Sequence, residues 1–396
     1  MKIFSKDIDS IHREIDSLKK GLLTCKSNDL IYYFYYLASE YQLIRDMGFK
    51  LDSNDIKMLD DNVSYANIYE TKVSKSKRKK IDNFIKNKVL INDIANRMIS
   101  VYDRNFNYRS IKPLYLEENQ MAEIILDFLN DEFNQADKFK EMANNNHIFN
   151  FGVGKEEEKM NTSAYTIHNF ITGNSMMCLS NNNYIVDVNL MKNIVHEFGH
   201  VIDAEYFKSS SKKDSFSYLL SSDYSEVYSI LYEKLFLEYL IKNRIFKSNA
   251  HTELVGLCLG IYNNINSIGY LSTLDDNLLI NLKYKKKIDE IKEKTNAEYE
   301  DEPFLDEMIE TINDTITSDF EGINLYSYGG LIAYYFSYLK QNDPSMYNEM
   351  IKKFDERKSR IFDSSIFETI GTTEDEIIEI YSKCLDRITG KKLILE

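Results

Sequence analysis

Apolar side chains recur at three- and four-residue steps along most of the chain, a pattern that predicts amphipathic helices. Near the N-terminus, Ile8, Ile11, Ile15 and Leu18 form one such stripe. Further helical stretches are predicted at about 30–47, 54–74, 76–103, 116–144, 189–207 and 224–243. Helical patterns continue to the C-terminus, and three prolines among 396 residues leave room for long helices. The predicted fold class is therefore mainly α.

The pattern changes between about 147 and 188, where short apolar runs are bounded by Gly and Asn, as strands usually are. The runs lie at about 149–154, 164–167, 175–179 and 184–188. They predict a small β-sheet next to the helix at 189–207. Asn189 is predicted to cap that helix, because an asparagine side chain readily accepts hydrogen bonds from the first helical N–H groups. The Ser- and Lys-rich residues 208–222 are predicted to form a loop.

The charge balance narrows the classes of partner. A formal net charge of −14 repels the phosphates of nucleic acids, so no nucleic acid partner is expected. The basic run at residues 75–80 is interpreted as a solvated helix start, with a local anion site as the alternative.

The N-terminal residues and the cysteines indicate the cellular compartment. The N-terminal residues become charged within a few positions and contain no apolar signal core. No stretch approaches the roughly 20 apolar residues that a membrane span requires. The four cysteines have no CxxC spacing, which is typical of reduced thiols. A cytoplasmic protein without a membrane partner is expected.

One segment, His196-Glu197-Phe198-Gly199-His200, carries a specific chemical pattern inside an apolar stretch. Positions i and i+4 of a helix lie one turn apart on the same face. His196 and His200 can therefore bind one ion with the bonds of about 2.0–2.1 Å that zinc prefers. Glu197 projects beside that face, where it can take a proton from water. The spacing is typical of zinc peptidases, and the alternative is a pair of core histidines with satisfied hydrogen bonds.

A catalytic zinc site keeps three protein ligands and one open position. No HxxGxxH extension follows His200, so the third ligand is expected to be a carboxylate of the next helix. Glu226, near the start of that helix, fits this role. Its alternative interpretation is a capping box with Asp223. Asp203 and Glu233 are candidate partners that would orient the imidazoles, or else surface carboxylates.

These segments together resemble the thimet oligopeptidase and oligoendopeptidase F peptidases. That family combines HE(F/L)GH with a ligand glutamate about 25 residues later and a further glutamate seven residues on. Here Glu226 lies 26 residues after His200, and Glu233 lies seven after Glu226. The segment Ser163-Ala164-Tyr165 resembles the sheet edge that lines the family's cleft. The resemblance covers about residues 145–340.

Residues 326–328, Tyr-Ser-Tyr, resemble the family's Tyr-x-Tyr segment, whose hydroxyls bind substrate and the oxyanion of the reaction. The resemblance implies one Zn²⁺ per chain, with Glu197 as general base and Tyr328 or Tyr326 at the oxyanion. Simple packing is the alternative for both tyrosines. The chain departs from the family where Ser318-Asp319-Phe320-Glu321 stands in place of a histidine segment, and where Asn324 stands near the place of a tyrosine.

The function implied by motif and resemblance is zinc-dependent endopeptidase activity on short peptides. Residues 1–145 would form a shortened N-terminal helical lobe and residues 146–396 the catalytic lobe, or both would form one continuous domain. A metallocarboxypeptidase with the same ligand type is one alternative function. A non-catalytic peptide-binding protein that retains the fold is another, although it would have no need of the base Glu197.

Overall fold

A computed structural model of the chain describes residues 1–5, 7–25, 30–47, 49–51, 53–54, 57, 86–94, 116–151, 164–180, 187–210, 223–273, 321–356 and 362–389. The helices are α1 Asp9–Leu22, α2 Leu30–Asp46, α3 Glu118–Phe133, α4 Ala136–Asn144, α5 Val188–Ser210, α6 Glu226–Lys242, α7 Lys247–Thr273, α8 Glu321–Asn342, α9 Pro344–Asp355, α10 Ser365–Thr369 and α11 Glu374–Thr389. The strands are β1 Ile148–Phe151, β2 Ala164–His168 and β3 Ser175–Ser180. None of the described helices is both long and apolar enough to cross a membrane.

The predicted fold class is confirmed, since the described residues are mainly helical and include one small sheet. Residues 86–94 are helical, as predicted for part of 76–103. Most of the helix predicted at 54–74, the basic run at 75–80 and most of the loop predicted at 208–222 lie outside the described residues.

The predicted helix at 116–144 is two helices, α3 and α4. Asn134 separates them and has a φ of 55°, in the left-handed region. Asparagine tolerates this conformation and commonly ends helices there. The N–H of Asn134 donates to Asn130 O, which completes the last turn of α3. The apolar side-chain pattern continues across the break, because the change is confined to the backbone torsions of Asn134.

The sheet has the order β1-β3-β2, with β1 parallel and β2 antiparallel to β3. Helix α5 packs against β2 and β3, as predicted for the helix that carries the two histidines. The predicted cap at Asn189 is wrong, because Leu190 N donates to Asp187 Oδ1 at 2.8 Å and α5 begins at Val188. The strand predicted at 184–188 therefore cannot include its last two residues, and 184–186 lie outside the described part.

The chain divides into two compact units. The first comprises Met1–Val73, Ser110–Phe216 and Leu235–Ala250, and the second comprises Ser74–Arg109, Ser217–Lys234 and His251–Glu396. The predicted lobes 1–145 and 146–396 stay a prediction.

The first unit buries a pair of glutamates between apolar residues. Glu14 of α1 and Glu40 of α2 are both buried, and α1 packs against α2. Asn174 Nδ2 donates to Glu14 Oε1. Burial, and to a lesser degree the charge of Glu14, raises the pKa of Glu40 to about 8. Glu40 is therefore a neutral carboxylic acid over most of the physiological pH range.

In the second unit, α8 packs against α9 and α11 around aromatic side chains. Phe336 meets Phe354 edge to face, with ring centroids 5.4 Å apart. Lys234 is buried in the same unit, where its Nζ donates to Ser337 Oγ at 2.7 Å and lies 5.0 Å from the ring centroid of Tyr334. The Lys234 amino group thus lies between a hydroxyl and an aromatic face, which both stabilise it.

Candidate metal site

Helix α5 presents two imidazoles beside its buried face. Val195, Phe198 and Val201 of this helix are fully buried, and Phe198 packs edge to face on Phe139 of α4 at a centroid distance of 5.5 Å. This packing fixes the rotation of α5. His196 and His200 remain half-buried, with ring centroids 5.1 Å apart and ring planes at 79°. The i, i+4 spacing thus places both rings side by side, as predicted.

Glu226 joins the two histidines. One ligand atom from each of His196, His200 and Glu226 lies within 4.8 Å of the others, so the three residues could hold a metal ion. Glu226 is buried, whereas the two histidines are partly accessible. Two imidazole nitrogens and one carboxylate oxygen form a ligand set that is known for catalytic zinc. These residues therefore fit the group that the sequence predicts.

The first turn of α6 does not fit the alternative interpretation of Glu226, a capping box with Asp223. Glu226 is the first residue of α6 rather than the third. Its Oε2 accepts a hydrogen bond from Ser229 Oγ at 2.7 Å. The carboxylate of Asp223 accepts from Phe362 N at 2.8 Å. Ser229 thus orients the Glu226 carboxylate, and Asp223 ties the start of α6 to a distant segment of the same unit.

The candidate general base has a partner that the sequence did not reveal. Glu197 is buried, and its Oε2 accepts a hydrogen bond from Thr166 Oγ1 at 2.8 Å. Thr166 Oγ1 also lies 3.1 Å from the backbone oxygen of Glu197. Thr166 belongs to β2, which lies against α5. The sequence offered one signal for this partner, because a residue with a hydroxyl group occupies the strand that was predicted beside the helix.

Asp203 and Glu233 are both buried, so the surface interpretation of these two carboxylates is wrong. Asp203 lies three residues after His200 on α5, and Glu233 lies seven after Glu226 on α6. A buried carboxylate requires a hydrogen-bonding or charged partner. Their role in orienting the imidazoles stays a prediction.

The two candidate tyrosines occupy different environments on α8. Tyr328 is 4% exposed and stacks on Phe362 with a centroid distance of 3.7 Å and an interplanar angle of 6°, whereas Tyr326 is 38% exposed. Burial, followed by the charge of Asp223, raises the pKa of Tyr328 well above its ordinary value. Tyr328 therefore keeps its hydroxyl proton at neutral pH. It has a packing role, and an oxyanion role for either tyrosine stays a prediction.

Gly329 brings α8 close to Glu226, the candidate carboxylate ligand. A Cβ on Gly329 would lie 3.1 Å from Glu226 Cβ and 3.4 Å from Val227 N. Most side chains would therefore need the two helices to separate by a few tenths of an ångström. The absence of a side chain lets the tyrosine segment of α8 pack directly on the first turn of α6.

Comparison with solved structures gives matches of low identity. A crystal structure of a candidate peptidase from Chlamydophila abortus has a TM-score of 0.46 and 14% identity, covering 80% of this chain and 55% of that one. PZ peptidase A, in a structure with an inhibitor, has a TM-score of 0.43 and 12% identity, covering 98% of this chain and 73% of that one. This chain thus spans about half the length of the first of these proteins.

No protein-family model matches the sequence, and no curated protein matches it either. Both TM-scores lie below 0.5, so neither likeness assigns a function to this chain. The resemblance to the thimet oligopeptidase and oligoendopeptidase F peptidases stays a prediction.

Proposed function

We propose that this chain is a zinc-dependent metalloendopeptidase that hydrolyses peptide bonds in short peptides. The observation that carries the proposal is the grouping of ligand atoms from His196, His200 and Glu226 within 4.8 Å. The carboxylate of Glu197 lies on the same helix as the two histidines. Bound zinc would polarise a peptide carbonyl and lower the pKa of water toward about 7.

Glu197 supplies the proton transfer in this proposal. Its carboxylate takes a proton from the attacking water and then delivers it to the leaving amine. The Thr166 hydroxyl donates to Glu197 Oε2, and this bond leaves Oε1 as the oxygen proposed to meet water. A buried, hydrogen-bonded base is already oriented, so it loses little further orientational freedom in the reaction. This supports a catalytic role rather than metal binding alone.

The tyrosines of α8 would stabilise the developing oxyanion. Tyr328 remains protonated because burial and the nearby Asp223 charge raise its pKa, so it can act as a hydrogen-bond donor. Tyr326 is the more accessible of the two. Either donor would be worth about 2.7–4 kcal/mol in the transition state.

The decisive variant is Glu197→Gln, which keeps the shape of the side chain but cannot accept a proton. It is expected to bind one zinc per chain, as measured by mass spectrometry of the metal, and to lose at least about 100-fold in peptide cleavage. A mixed peptide library with and without a chelator is the substrate for wild type and variant. Unchanged turnover in Glu197→Gln would remove the mechanism.

The position of cleavage needs a separate test. A peptide and its C-terminally amidated version are expected to be cut at the same internal bond at similar rates. A metallocarboxypeptidase would require the free carboxylate and would release single residues from the C-terminus. Loss of cleavage on amidation would therefore replace the endopeptidase proposal.

A further inference from the structure

We propose that Thr166 is a positioning residue that holds the Glu197 carboxylate in the orientation for proton transfer, an inference that rests on the function proposed above. Thr166 Oγ1 lies 2.8 Å from Glu197 Oε2 and 3.1 Å from the Glu197 backbone oxygen. A hydroxyl has one proton to donate. The carboxylate oxygen is both closer and the stronger acceptor, since hydrogen bonds to charged groups are shorter and stronger.

The fold holds Thr166 itself in place. The residue lies in the middle of β2, with Met177 of β3 as its partner in the antiparallel register. Its neighbours Tyr165 and Ile167 pair with Cys178 and Met176 on the same strand. A threonine has a stiff χ1 torsion because its Cβ is branched. The donor is therefore supplied by a sheet and a restricted side chain rather than by a loop.

The Glu197 side chain has more conformational freedom than the Thr166 side chain. Its side chain rotates about three bonds, and burial alone does not select one carboxylate orientation. A donor at Oε2 selects one orientation and leaves Oε1 for water. Proton transfer requires a separation of about 2.6–3.2 Å between the base and the proton donor. A carboxylate that turns away from this position slows the chemical step without changing how peptide binds.

The prediction separates kcat from KM. In the zinc-loaded full-length protein, Thr166→Val keeps the branched shape but removes the donor, and kcat is expected to fall about 10- to 100-fold, as for other residues that support a metal site. KM and zinc stoichiometry are expected to stay near wild type. Thr166→Ser restores the hydroxyl and is expected to recover most of kcat.

Ser175→Ala is the matched control. Ser175 lies on β3, is buried, and its Oγ bonds His168 Nδ1 at 2.6 Å rather than Glu197. Its loss removes a buried hydroxyl from the same sheet, yet kcat is expected to stay within about twofold of wild type. An equal fall in kcat for Ser175→Ala and Thr166→Val would show general damage to the sheet and would overturn the role of Thr166.

A second readout is independent of turnover. Urea unfolding of Thr166→Val, Glu197→Met and the double variant measures the coupling between the two side chains. The shift in midpoint caused by Thr166→Val is expected to be at least halved in the Glu197→Met background. Full additivity would overturn the hydrogen bond and with it the proposal.

The outcomes distinguish this proposal from the proposed function. If the wild type cleaves peptides and Thr166→Val retains full kcat, only the role of Thr166 is overturned. If the zinc-loaded wild type cleaves none of the peptides in the library, both are overturned. A fall in kcat that Thr166→Ser reverses, together with non-additive unfolding, supports both.

Discussion

Replacing Glu40 by glutamine is expected to change how stability depends on pH. Glu40 is 1% exposed and lies near Glu14, and burial raises its pKa to about 8 from an ordinary value of 4.5. Between these two values the folded protein holds a proton on Glu40 that the unfolded chain releases. The free energy of unfolding therefore falls as the pH rises through this window. Glu40→Gln has no proton to lose and is expected to escape this fall.

The size of the effect follows from the window. Each pH unit between 4.5 and 8 costs the folded wild type about 1.4 kcal/mol. Across the whole window the cost is at most about 5 kcal/mol, because any water that reaches the carboxylate lowers it. Such a cost is a large fraction of the stability of an ordinary domain. Above about pH 8 the difference between wild type and variant is expected to level off.

Urea unfolding followed by circular dichroism at intervals from pH 5 to pH 9 measures this difference. The gap in stability between Glu40→Gln and wild type is expected to widen in favour of the variant as the pH rises. Glu123→Gln, at an exposed position of α3, is the control and is expected to run parallel to wild type. Parallel curves for Glu40→Gln and wild type would refute the assignment of a protonated acid to Glu40.

Three further predictions concern the candidate metal site. Glu226→Ala is expected to weaken zinc binding at least about 10-fold in competition with a fluorescent chelator, and full retention of zinc would reassign the third ligand. Tyr328→Phe keeps the stacked ring and is expected to lower kcat about 100-fold or more without changing zinc content; if Tyr326→Phe shows this loss instead, Tyr326 is the oxyanion donor. In Gly329→Ala the new Cβ would lie 3.1 Å from Glu226 Cβ, and zinc binding is expected to weaken. In Gly330→Ala the new Cβ would instead press on α7, so this variant is expected mainly to lower the thermal midpoint. The opposite pattern would contradict these packing assignments.

Features that depend on local spacing could be predicted from the sequence. Helices α5 and α6 follow from their apolar periodicity, and their observed ends lie within three residues of the predicted ones. The approach of His196 and His200 follows from one turn of helix. The break at Asn134 was missed because the apolar pattern continues through it and only a backbone torsion changes. The cap at Asp187 was missed because Asp187 and Asn189 lie two positions apart and either residue type can cap a helix.

Features that depend on long-range packing were beyond the sequence. Thr166 and Glu197 are 31 residues apart, and their hydrogen bond exists because β2 lies against α5. Glu226 could be nominated from the missing third histidine, its place near the start of the next predicted helix and its distance from His200 in a resembling family. Its grouping with the histidines required the tertiary structure. The raised pKa of Glu40 likewise depends on its surroundings in the fold, because the local sequence does not distinguish a buried glutamate from a solvent-exposed one.

The hydrogen bond from Phe362 N to Asp223 has a consequence for the timing of biosynthesis. The two residues are separated by 139 positions, and Gly329, which packs on Glu226, also lies far downstream. At about 5–20 residues per second, a ribosome needs roughly 7–28 s to extend the chain from Asp223 to Phe362. The histidines and Glu226 are therefore synthesised well before the segments that brace the first turn of α6. Under the proposed function, high affinity for zinc is therefore expected only late in translation, once the C-terminal helices have emerged.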